Sequence, residues 1–137
     1  MMLDAPEAFA GYEDRGETEF MQVFAHPNDR LLVALRKQGA PLPPQDVVRA
    51  HEELLSFAPQ RQHHSLIIDL RGVSGNNDAR FEAAIREVNG LLLAHFVRVG
   101  LLVRSHIGKL HATRLSAVDE RMMIASDPAK LLERLLG

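Results

Sequence analysis

The chain has 137 residues, 46% of them hydrophobic and 25% charged, with a formal net charge of −2. That is the size and composition of one globular domain with a single core. There is no cysteine, which excludes disulfide stapling, thiolate catalysis and cysteine-ligated zinc. The N-terminus lacks a basic segment followed by an apolar one, and no apolar run approaches a membrane span. The expectation is a cytoplasmic protein.

Charge is unevenly placed. Residues 1–20 hold six acids against Arg15 alone, while 88–118 hold no acid but four Lys or Arg and three His. Four basic residues over such a length, without aromatic platforms or a recognised motif, give no strong nucleic-acid signal.

Residues 1–17 are acidic, carry Gly11 and Gly16 and show little periodicity, so they are read as a loosely ordered arm before a single domain at 18–137. Residues 18–25 (TEFMQVFA) fit a first strand, 26–29 (HPND) a turn, and 31–35 (LLVAL) the second strand of a hairpin. Such a hairpin offers an edge strand through which a homodimer can pair. Residues 39–44 (GAPLPP) form a stiff connector. A helix over 44–57 follows, with Pro44 in its first turn and Val47, Ala50, Leu54 and Phe57 on one face. Residues 65–70 (SLIIDL) read as a central strand covered on both faces.

The best-patterned helix spans 78–96, where Phe81, Ala84, Ile85, Val88, Leu91 and Leu92 define a buried stripe. Glu82 and Arg86 form an i, i+4 pair on its other side. Residues 97–103 are the next strand, 107–115 a shorter helix and 122–125 a final strand. Ser126-Asp127-Pro128 then starts a Leu-rich helix over 129–136. The fold class is α/β: a mixed sheet of about five strands with about four helices, in the order β-β-α-β-α-β-α-β-α. Strands separated by single helices pair in parallel by right-handed crossovers, after an antiparallel opening hairpin.

The most informative stretch is 64–81, HSLIIDLRGVSGNNDARF: a strand ending in an aspartate, a Gly/Ser/Asn loop, then a helix start. Loops leaving the carboxyl ends of strands are where open α/β folds meet ligands and partners. The layout, with Ile67-Ile68-Asp69-Leu70-Arg71-Gly72-Val73, resembles the STAS domains, the anti-sigma-factor-antagonist-like fold, from about Leu31 to the C-terminus. It is similar to small bacterial STAS-like proteins of unassigned function. The resemblance implies a non-enzymatic signalling module that binds another protein through the loop and helix start after the strand. Those positions are Ser74, Gly75, Asn76, Asn77, Asp78 and Arg80. Switching members of the family carry Asp-Ser-Ser-Gly at the helix entrance, one serine being phosphorylated by a partner kinase. Here the region reads Asn77-Asp78-Ala79-Arg80, so regulation by serine phosphorylation is not expected.

Two readings of Asp78 stand. It caps the helix, or it supplies permanently part of the negative charge that a phosphoserine would bring. Ser74 reads as a turn-stabilising serine, and alternatively as a phosphosite or an anion contact. Arg104, Ser105 and Lys109 follow another strand and form a possible anion contact if their loop lies beside the first. Asp69 is expected to bond nearby backbone amides.

No HExxH, GxSxG or phosphate-loop pattern is present, and His63-His64 and the five-residue spacing of His106 and His111 do not suit a shared metal. No cofactor, metal or catalytic residue is assigned. The alternative to an interaction module is a carrier of a small lipophilic or anionic ligand, and fold alone does not choose between them.

Overall fold

The computed structural model describes residues 7–37, 42–57, 64–72, 79–104 and 120–136, without the side chains of 7 and 79–82. Six strands lie in one sheet: β1 (Glu13–Glu17), β2 (Met21–Ala25), β3 (Leu31–Arg36), β4 (Ser65–Asp69), β5 (Val99–Leu102) and β6 (Met122–Ala125). Three helices are described: α1 (Pro44–Glu52), α2 (Ala79–His95) and α3 (Pro128–Leu136). Short 3-10 turns cover Glu7–Phe9 and Glu53–Phe57.

The strands stand in sequence order across the sheet. β1, β2 and β3 pair antiparallel, and β3 through β6 pair in parallel. The antiparallel opening and the parallel continuation are what the spacing of elements predicts. β4 is buried along its whole length, as an apolar run with no polar alternation requires of a central strand. Each face of the sheet has its own core. On one side Val23, Ala34, Ile68 and Leu101 meet Val47, Ala50 and Leu54 and, from α2, Val88 and Leu92. On the other, Phe24, Val33, Ile67 and Leu102 meet Phe9 and Leu131 of α3. Gly100 lies under α3, where an added Cβ would stand 3.1 Å from Leu131 Cδ2 and 3.2 Å from Leu135 Cδ1, so the missing side chain lets the helix sit close.

The strand count corrects the expectation of about five. The extra strand, β1, comes from residues 1–17, read from sequence as a loose arm. Residues 1–6 of that segment lie outside the described residues. β1 is EDRGE and largely exposed, so it has no apolar alternation to read; its backbone pairing with β2 makes it a strand. The register slips between Asp14 and Gly16, and Gly16 has φ 115°, a left-handed conformation that glycine adopts without strain. The charges and the bulge also blunt this edge of the sheet. The outer strand of the β2–β3 hairpin is therefore covered rather than free.

Thr18 and Phe20, placed in the first strand by the sequence, instead turn. The Thr18 hydroxyl accepts from the amides of Phe20 (3.3 Å) and Met21 (3.1 Å). The 26–29 turn is as expected, with Asp29 at φ 57°. Asp127 caps α3 by accepting from the Ala129 amide at 2.9 Å. The helix expected over 107–115 lies outside the described residues, so the count of four helices is neither met nor contradicted.

Candidate functional site at the carboxyl edge

β4 and β5 are neighbours in parallel register, with Asp69 opposite Leu102. Beyond them the Leu70 amide donates to the Leu102 carbonyl at 2.8 Å, and the Val103 amide to the Ala125 carbonyl at 3.0 Å. The chain thus leaves β4 at Leu70 and β5 at Val103 from one edge of the sheet, about one strand spacing (about 4.8 Å) apart. The anion-contact reading depended on the two loops themselves lying together, and most of both lies outside the described residues. Arg104 is exposed immediately after β5. Arg80 lies in the first turn of α2, but its side chain is outside the description. Ser74, Gly75, Asn76, Asn77, Asp78, Ser105 and Lys109 all lie outside the described residues.

Asp69 does bond the backbone, accepting from the Arg71 amide at 3.1 Å. It also holds the Arg71 side chain, with Nε at 3.0 Å from Oδ1 and Nη2 at 2.8 Å from Oδ2. The fork geometry of guanidinium and carboxylate makes this a strong contact, and donation to the Asp69 carboxylate raises the Arg71 pKa against the opposing effect of desolvation. Sequence reading missed Arg71. The Asp-x-Arg spacing at a strand end was the available signal, since a turn of two residues lets the long side chain fold back. Register places Gln22 and Asp69 on the same face, each opposite Leu35. Gln22 was missed as well.

On the other face of the same edge, Arg36 is buried. It donates to the Lys37 carbonyl at 2.7 Å and stacks over the Phe20 ring at 5.7 Å, with Arg49 over the same ring at 5.3 Å. Arg49 also reaches Glu19 at 3.1 Å and Asp46 at 3.2 Å, which ties the β1–β2 turn to α1. Beside this cluster His51 is buried, with Nδ1 donating to the Val47 carbonyl at 2.7 Å. Burial lowers the His51 pKa from its ordinary 6.5; the Val47 bond opposes that shift and the charge of Arg36 adds to it. A depressed imidazole pKa means that the unfolded chain takes up the proton first. Stability contributed by neutral His51 is therefore full above pH 6.5 and declines as the pH falls below it. Denaturation midpoints measured between pH 7.5 and 5 are expected to fall less steeply for His51→Gln than for the wild-type chain.

At the opposite end, His64 Nε2 stands 3.5 Å from Asp29 Oδ1, which also accepts from Arg15 at 3.0 Å. Asp29 is well exposed there, and this set binds the β2–β3 turn to the start of β4. Among the described residues no group of three His, Asp or Glu is placed to hold a metal, and no described helix is long and apolar enough to cross a membrane. No protein-family model matches the chain, and comparison with curated proteins gives no match.

Proposed function

We propose that the chain is a STAS-like regulatory module, non-enzymatic and cytoplasmic, that binds another protein through the loop and helix start at 74–80, without a serine-phosphorylation switch. The observation that carries this reading is the shared edge: β4 and β5 are parallel neighbours, so the segment leading from Asp69 into α2 and the segment opening at Arg104 emerge side by side. Parallel sheets present their binding loops at that end. Arg104 is exposed where the chain leaves β5, and a charged edge suits recognition of a polar protein surface.

The test is quantitative mass spectrometry of proteins that co-purify with the wild-type chain and with the Asp78→Ala, Arg104→Glu and Ser74→Ala variants. One partner is expected with wild type and with Ser74→Ala. Its recovery is expected to fall about tenfold with Arg104→Glu and with Asp78→Ala, about 1.4 kcal/mol, the size of one charge-assisted contact. Equal recovery with all four proteins at equal stability overturns the reading. A small molecule extracted in place of a protein favours the carrier instead.

A further inference from the structure

Gln22 lies on the face of the sheet that carries the second core, in one row with Leu35 and Asp69. Its side chain is 1% exposed, yet neither Nε2 nor Oε1 has a hydrogen-bond partner among the described residues. An amide removed from water with both ends unpaired carries a standing penalty, and native proteins rarely keep one without a use for it.

Register fixes its surroundings. Glu17 is opposite on β1, Leu35 is opposite on β3, and Asp69 follows in the same row on β4. Lys37, just past β3, bonds Glu17 Oε2 at 3.0 Å and the Thr18 carbonyl at 3.0 Å, so an ion pair links the strands on either side of β2. Asp69 is paired with Arg71. The charges flanking Gln22 are thus already compensated, while its own donor and acceptor are not.

We propose that Gln22 is the recognition group of a site for a small neutral ligand that presents a donor N–H beside an acceptor C=O, as a primary carboxamide or a lactam does. Two amide edges pair through two antiparallel hydrogen bonds and satisfy Nε2 and Oε1 together. An anion accepts from Nε2 and leaves Oε1 unpaired. Compensation of Arg71 by Asp69 points the same way, since that cation is not left to hold a carboxylate or a phosphate. The Lys37–Glu17 pair is partly exposed, 31% and 47% at the side chains, and exposed pairs of this kind hold weakly. It can part to admit a ligand without opening either core. This site is independent of the protein-binding reading above.

Nicotinamide and nicotinate, which differ as carboxamide and carboxylate, are the matched probes, with acetamide as the smallest amide. Thermal melting and the Gln22 side-chain amide resonance are the readouts. Nicotinamide is expected to raise Tm saturably and to shift that resonance, with nicotinate at least about tenfold weaker. Gln22→Met and Gln22→Leu are expected to raise the ligand-free Tm by about 4 °C by removing the unpaired amide, and to abolish the nicotinamide effect. The proposal is overturned if neither nicotinamide nor acetamide shifts the resonance, or if nicotinate matches nicotinamide. A lower ligand-free Tm in both variants also overturns it, because the amide would then be bonded within the fold.

Discussion

Phe9→Ala is expected to destabilise the protein by about 3–4 kcal/mol in urea unfolding, the range for truncating a fully buried aromatic residue. Phe9 is 0% exposed and packs with Phe24, Leu31, Val33, Ile67, Leu102 and Leu131. Its ring lies 5.5 Å from that of Tyr12, which meets His26 edge-on at 5.1 Å. The 3-10 turn at Glu7–Phe9 thus closes the part of the second core that α3 does not reach. A single 3-10 turn held by few contacts can shift into the gap, which sets the expectation at the lower part of the range. If these residues were only the acidic arm suggested by their composition, the same substitution would cost no more than about 0.5 kcal/mol. Glu13→Ala on exposed β1 is the internal control, expected to stay within about that amount.

The contrast between Phe9 and β4 shows what the sequence carries and what it does not. Leu66, Ile67 and Ile68 announce a central strand because burial on both faces leaves a continuous apolar run. Asp127 followed by Pro128 announces the start of α3 because the capping chemistry is local. β6 is legible for its apolar run and position, and the parallel order of β3, β4 and β5 follows from the helices α1 and α2 between them. Phe9 gives no such signal: one aromatic residue in an acidic stretch has no periodicity, and only the far side of the sheet makes it a core residue. Thr18 misleads in the other direction. It is β-branched and favoured in strands, but its hydroxyl captures two amides and forms a turn. At the candidate edge, the adjacency of the two strand exits needed the strand order, which spacing leaves open and pairing supplies. Gln22 was invisible because residues of β2 are buried on both faces, so its polar side chain sits inside a run with no alternation.

Arg71→Ala is expected to cost about 2–3 kcal/mol, more than Asp69→Asn at about 1 kcal/mol, and the asymmetry is the test. The Asp69 side chain is 1% exposed and the Arg71 side chain 31%. Removing the arginine leaves a buried carboxylate with one donor among the described residues, the amide of residue 71 at 3.1 Å, and an uncompensated buried charge is expensive. Removing the carboxylate charge instead releases a guanidinium that already reaches water, so it recovers hydration and loses mainly the fork. A double variant, Asp69→Leu with Arg71→Leu, is expected to recover most of the loss, because an apolar pair carries no desolvation penalty. Urea midpoints for the three proteins decide the matter. Equal and small losses for the two single variants would mean an exposed pair of ordinary strength. The larger loss for Arg71→Ala matters beyond stability, since Leu70 and Gly72 open the segment that leads to 74–80. The fork holds the turn at Arg71 against the end of β4, and if 74–80 binds a partner as proposed, weaker binding by Arg71→Ala is expected to accompany its lower stability rather than to appear without it.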